Sequence, residues 1–384
     1  MHITFSLEHS ADVLDQAIAG LVATPGTRAI LVFGCDANGW SPEALNPVLQ
    51  AAPIPVLGGV FPQIIYRQQN YTEGFVLVGL KNEVHWQQID HLSDDQADYD
   101  LTLEPCAERW EAITGDATLM VVVDGLAARI SALIESLFVN FGLVQNFIGG
   151  GAGSLSFARK PCLLTPNGMV QDAALLMRLP LRSGVGVAHG WRPVSEPMKV
   201  TDSTRNQINT LDGQAAFEQY RQRVEANGDT RFTQDNFFDV AKSYPLGIVK
   251  LGAEMVVRDP LMRTDDDKGM VCVGEVPEGC SVRVLNGSAE YLIAAAAQAS
   301  QLALESWQRQ SETAPESALF IDCISRALFL EERMTDELAQ AAPELPVFGA
   351  LTLGEIANTG RDYLEFYNKT AVLGLLGSER DEPK

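Results

Sequence analysis

Three stretches of this 384-residue chain repeat one order of elements, and that repetition restricts the fold more than any single motif. The apolar runs "AILVFGC" (29–35), "TLMVVVD" (118–124) and "ALFIDC" (318–323) read as short buried strands, ending in Cys35, Asp124 and Cys323. At a nearly constant interval after each comes a glycine: Gly58 in "IPVLGGV" (54–60), Gly149 in "FIGGGAG" (147–153) and Gly349 in "LPVFGA" (345–350). Helical periodicity precedes and separates these strands, at 10–22 with Ser10 as N-cap, from Ser41-Pro42-Glu43, and at 105–114, 126–141, 289–308 and 327–340. Two more strands close each copy: "QIIYR" and "FVLVGL", "CLLTP" and "ALLMRL", "YLEFYN" and "AVLGLL". The expected fold class is therefore α/β: two packed α/β domains with mixed sheets, built from an α-β-α-β-β-β unit used three times. Residues 182–287 interrupt the series with a helix at 214–224 and several strand-like runs, "AEMVVRD" (253–259) among them. A boundary near residue 182 divides the chain into domains 1–181 and 182–384.

The glycine run "FIGGGAG" invites a phosphate loop, but its context is wrong. Such a loop passes from strand to glycines to a helix whose N-terminus faces the anion. Here the glycines follow a helix and a short strand and lead into more strands, and neither G-x-x-x-x-G-K-[ST] nor a complete G-x-G-x-x-G is present. The expected role is a bend where strands approach closely. Glycines of this kind also let a small ligand come near the backbone.

Composition narrows the partners. A formal net charge of −22 repels nucleic-acid phosphates and anionic lipid, so small molecules or other proteins are the expected partners. No apolar run reaches the ~18–20 residues of a membrane span; "YLIAAAAQASQLAL" (291–304) is a buried helix instead. The start "MHITFSLEHS" lacks the features of a signal peptide, and six scattered cysteines without C-x-x-C suit a reducing cytoplasm.

The second half carries a resemblance. "VTDSTRNQINTLDGQAAFEQY" (200–220) is followed in order by "SYPLG", "MVVRDPL", "GEVPEG", "FIDCISR", "GEI" and "EFYNKTAV". This succession resembles the C-terminal part of FIST sensory proteins (F-box and intracellular signal transduction), and "LVFGC" with "VLGG" resembles their N-terminal domain. One departure is "CISR", where the family pattern has a glycine before the arginine. The resemblance implies a cytoplasmic sensory module without enzymatic activity. It would bind a small molecule, an amino acid or related metabolite, and signal through a separate partner such as a histidine kinase. A subgroup of the family binds haem and senses nitric oxide, which sets the alternative.

A ligand bearing a carboxylate needs a planar cationic fork, and Arg258 and Arg326 lie at the edges of apolar runs where sheets build crevices. Glu355 suits an ammonium group or an arginine partner, Asn368 and Thr370 supply neutral hydrogen bonds, and Asp124 either binds a ligand amine or caps the next helix. Structural ion pairs and turn roles are the competing readings for this set. Cys35 and Cys323 each precede a helix, which would suit a thiolate in a cysteine-dependent enzyme. No histidine lies near either, so a small core residue is the simpler role, although Cys323 remains a candidate at the ligand site. Of the five histidines, His85 and His91 fall in a polar segment expected to be exposed. His189, among small apolar residues beside Trp191, is the candidate haem ligand. No metal-ligand spacing occurs, and the aspartates of "RTDDDK" form a solvated turn.

Overall fold

The computed structural model describes residues 1–142, 145–250, 255–358 and 363–378. Ala253 and Glu254 of the expected strand at 253–259 lie outside them, and its described part belongs to a longer strand, Val256–Arg263.

The three copies build three six-stranded sheets of one design. At each centre lie two parallel strands: Ala29–Cys35 with Val56–Phe61, Thr118–Asp124 with Asn146–Ala152, and Ser317–Cys323 with Val347–Thr352. Every side chain of the first member of each pair is buried, which is why these strands read as near-continuous apolar runs. The repeated glycines occupy one register position, with Gly58 opposite Val32, Gly149 opposite Val121 and Gly349 opposite Phe320. A Cβ at each would lie 2.0, 1.8 and 1.8 Å from the carbonyl oxygen of that partner. These three glycines therefore sit within strands, not in bends: all of "FIGGGAG" but its last residue, Gly153 at φ 137°, lies in Asn146–Ala152. The close approach expected of it is real, but its cause is the packing of a parallel pair.

Each unit is longer than its sequence suggested. A leading strand pairs antiparallel with the closing strand: His2–Ser6 with Phe75–Leu80, His85–Asp90 with Ala173–Leu179, and Arg182–Ala188 with Ala371–Gly377. His85 thus lies half-buried in a strand rather than in an exposed polar segment, while His91 is exposed. The penultimate strand is one arm of a hairpin: Gln63–Tyr66 with Gln69–Tyr71, Leu163–Thr165 with Gly168–Val170, and Glu355–Ala357 with Glu365–Tyr367.

These hairpins are exchanged around a ring. The hairpin of the first unit pairs with Val347–Thr352 of the third, that of the third with Asn146–Ala152 of the second, and that of the second with Val56–Phe61 of the first. Every unit completes its sheet with a neighbour's strands, which covers edges that would otherwise be open.

The helices follow their apolar faces. Ala11–Val22 buries Leu14, Ile18 and Leu21, and Ser10 caps it by accepting from Val13 N at 3.3 Å. The second-unit helix starts earlier than expected, at Asp100–Glu111, and the next is Ile130–Phe141. The expected helix at 327–340 begins at Ile324 and breaks, with Ile324–Leu330 and Met334–Leu338 separated by a 3₁₀ turn. Glu331 there takes φ 52°. The alanine-rich helix Ala289–Gln308 lies directly on strand Arg182–Ala188. A Cβ on Gly186 would meet Ala299 O at 2.0 Å, so its small residues serve close helix–sheet packing.

Between the leading strand and long helix of the third unit, the chain inserts a small antiparallel barrel. Its strands run Ser281–Asn286, Met198–Thr204, Gln207–Leu211, Met270–Val273, Val256–Arg263 and Leu246–Ile248, the last pairing back to the first. Helix Ala216–Glu225 packs on it through Phe217 and Tyr220, and the Tyr220 hydroxyl donates to Tyr244 O at 2.7 Å.

Candidate functional site

A cavity of ≈ 570 Å³ opens between the barrel and the ring. The ring contributes Gly125, Leu126, Ala127, Ala128, Ile130 and Ser131 from the second unit, Cys323–Ser325 and Leu328 from the third, and the turn after its hairpin. The barrel contributes Asp259, Leu261 and the segment around Cys272–Glu275. Apolar side chains form most of the wall, with Leu126, Ile130, Leu261, Leu353 and Phe366 within and Leu155, Phe157, Phe238 and Leu328 partly exposed at the mouth.

The floor is polar. Asp259, on strand Val256–Arg263, is 1% exposed; its Oδ2 accepts from Ser325 Oγ at 3.0 Å and pairs with Lys369 Nζ at 3.1 Å. Its other oxygen, Oδ1, has no hydrogen-bond partner. Asn368, also 1% exposed, lines the same floor, and neither Oδ1 nor Nδ2 of its amide has a partner. Burial raises the Asp259 carboxyl above its ordinary value, against the lowering effect of Lys369. Lys369 holds φ 53°, a left-handed turn position between Asn368 and Thr370, and its fully buried side chain also donates to Lys242 O at 3.0 Å.

Behind the floor lies a buried ionic cluster. The Arg326 guanidinium pairs with Asp322 at 3.0 Å and with Glu337, and donates to His189 O, Lys369 O and Leu292 O. Burial works against the charged form of Arg326, but Glu337 and Asp322 hold it above its ordinary value. Arg258 is likewise committed to the protein: Nε donates to Glu275 O at 2.8 Å and Nη1 to Val257 O and Phe366 O. Neither arginine is among the residues lining the cavity; both organise the walls around it.

Glu355 is fully buried one layer further in. Its Oε2 accepts from Thr370 N at 3.2 Å, its Oε1 lies 3.1 Å from Thr352 Oγ1, and the Cys323 thiol bonds to it. Burial pushes its carboxyl up to about 8. The Thr352 hydroxyl also lies 3.2 Å from Asp322 O, a carbonyl that can only accept. The hydroxyl thus lies between two acceptors, Glu355 Oε1 and the Asp322 carbonyl. Thr370 donates its hydroxyl to Asn368 O at 2.8 Å and so fixes the turn that presents Asn368.

Asp124 does not cap the next helix, which starts at Ile130 with Arg129 in the N-cap position; its carboxylate accepts from Leu126 N at 3.0 Å and Asp172 N at 2.8 Å, which holds the loop that forms one wall. Cys323 lines the cavity and Cys35 lies in the equivalent place of the first unit, buried, with its thiol donating to Tyr71 O. Burial pushes Cys35 up to about 12 and Cys323 well above the usual thiol range, opposite to the activation of a nucleophile. His189 is 4% exposed and does not line the cavity; its Nδ1 accepts from Trp191 N at 2.9 Å, and burial lowers it to about 4.

Of the residues chosen from sequence, Asn368 and Cys323 therefore face the cavity, while Arg258, Arg326, Glu355, Thr370 and Asp124 support it. Asp259, Ser325 and Lys369 were passed over, although each adjoins a chosen residue in "VRDPL", "CISR" or "YNKT".

Apolar walls and a few convergent buried polar groups, set between two parts of one fold, are the features of a small-molecule cleft. The chain belongs to the FIST family: the FIST N domain matches residues 28–214 and the FIST C domain residues 216–358. FIST domains are sensory domains of signal-transduction proteins. No curated protein matches the chain. Among the described residues no helix is long and apolar enough to cross a membrane.

Proposed function

We propose that this chain is a cytoplasmic sensor whose cavity binds an amine-headed small molecule, an amino acid or related metabolite, and reports it to a separate signalling protein such as a histidine kinase. The observation that carries this reading is the unsatisfied floor, Asp259 Oδ1 and the whole amide of Asn368. Buried polar atoms without partners are rare and costly, and a ligand that completes them gains accordingly. The two acceptor oxygens suit an ammonium group, and Asn368 Nδ2 suits an acceptor beside it. The device works by binding alone, which fits thiols held protonated by burial.

Asp259 comes from the barrel and Asn368 from the ring, so a head group engaging both favours one arrangement of the two parts. A partner reading that arrangement completes the signal. Thermal-shift measurements with the twenty amino acids and their decarboxylated amines test the proposal. A ligand present at about 100 times its Kd stabilises the fold by about 2.7 kcal/mol. Stabilisation by at least one compound, lost in Asn368→Leu, is expected; no stabilisation by any of them contradicts it.

A further inference from the structure

We infer that the ligand is a short apolar peptide that enters N-terminus first; this rests on the amine-headed reading above and narrows it. Three observations point the same way. The first is charge. A free α-amino acid carries its carboxylate next to its ammonium, so the floor would receive a second negative group beside Asp259. Among the described residues, the buried cations beside and behind the floor are already committed, Lys369 to Asp259 Oδ2, Arg326 to Asp322 and Glu337, and Arg258 to backbone carbonyls. A peptide presents a neutral carbonyl at that place, and the Asn368 amide alone satisfies it.

The second observation is size. A cavity of ≈ 570 Å³ falls within the range of about 300–1,000 Å³ that encloses drug-sized molecules, a size that a dipeptide approaches more closely than a lone amino acid. The third is the distribution of polarity from floor to mouth. Above the acidic, amide-bearing floor the walls are apolar. Phe157 is 54% exposed at the mouth, and Phe238 and Leu328 are each 40% exposed, positions suited to covering apolar side chains. At the rim lie Arg159 and Arg205, with Glu275 as the opposing charge. Arg159 donates to Leu126 O at 3.0 Å, and Arg205 pairs with the exposed Asp95. Both guanidinium groups remain near solvent, where the carboxylate of a two- or three-residue peptide would emerge. The lining thus runs from unpartnered acceptor oxygens inside, through apolar walls, to guanidinium groups near solvent, matching an extended peptide with its ammonium buried.

Isothermal titration of the full chain with leucine, leucyl-leucine, phenylalanyl-leucine and N-acetyl-leucyl-leucine tests this. The unblocked dipeptides are expected to bind at least tenfold tighter than leucine, and acetylation to weaken binding at least tenfold. Leu328→Arg, at the exposed mouth, is expected to abolish dipeptide binding without altering the melting temperature. Asp259→Asn should weaken binding too, but it also unpairs Lys369, so Leu328→Arg serves as the control for folding. Leucine binding as tightly as the dipeptides overturns the peptide inference and leaves the amine-headed reading intact. No binding by any of the four to the folded chain overturns the peptide inference alone, and equal binding of the acetylated and free dipeptides overturns both.

Discussion

Replacing Glu355 with glutamine tests the arrangement behind the cavity floor. Glu355 is fully buried, and its carboxyl is raised from 4.5 to about 8 chiefly by burial. Folding therefore takes up a proton that the unfolded chain has released at neutral pH. The sign follows from the raised value: the contribution to stability is intact below 4.5 and is lost as pH rises through about 8. The gap between 4.5 and about 8, at about 1.36 kcal/mol per pH unit, corresponds to about 5 kcal/mol. Glutamine reproduces the neutral acid, since its amide nitrogen can donate to Thr352 Oγ1 and its oxygen can accept from Thr370 N. Glu355→Gln should fold normally at pH 5 and gain on the wild type above it. Urea unfolding at pH 5, 6.5 and 8 measures this; the stability difference should grow by about 4 kcal/mol between pH 5 and pH 8. A difference that stays flat across that range means that Glu355 is ionised in the fold, and the raised value assigned to its carboxyl is then wrong.

Alanine at Gly58, Gly149 or Gly349 should destabilise the fold by a similar amount at each site, at least about 1–3 kcal/mol, because each Cβ would collide with the partner-strand carbonyl. Unequal costs measured by chemical denaturation would break the proposed equivalence of the three positions. Arg326→Met leaves Asp322 and Glu337 buried without their cation and should cost about 3–5 kcal/mol in the same assay; a cost near zero would show that those acids are neutral in the fold. Iodoacetamide at pH 7.5 should leave Cys35 and Cys323 unmodified in the native protein and label them after unfolding in urea, as read by peptide mass spectrometry. Rapid native labelling would revive a cysteine-based chemistry.

The central strands and the repeat were legible because a strand buried on both faces is apolar along most of its length, as in Ala29–Cys35, Thr118–Asp124 and Ser317–Cys323. The leading strands were not. "HITFS" and "HWQQID" are only half-buried, so polar residues interrupt their pattern. "GVGVAHG" looked like the start of the insertion because its partner, Ala371–Gly377, lies almost two hundred positions further on. Exchange of hairpins between units leaves no local signal, since a strand's composition does not name the sheet it joins. The same limit governs the site. Asn368 stood out as a neutral polar residue beside an apolar run, whereas Asp259 and Lys369 resembled ordinary charged residues until folding buried them as a pair. The arginines were recognisable as buried cations, but the carbonyls and carboxylates that occupy them come from distant segments.

The account turns on the claim that Asp259 and Asn368 form the receiving end of a ligand cavity. Side-chain amide and methyl NMR of the full chain, titrated with leucine and with leucyl-leucine, addresses it directly. The predicted result is saturable shifts of the Asn368 side-chain amide and of the methyl groups of Leu126, Leu261 and Leu328. Saturable shifts confined to other residues, or none at these four with either compound, would contradict it.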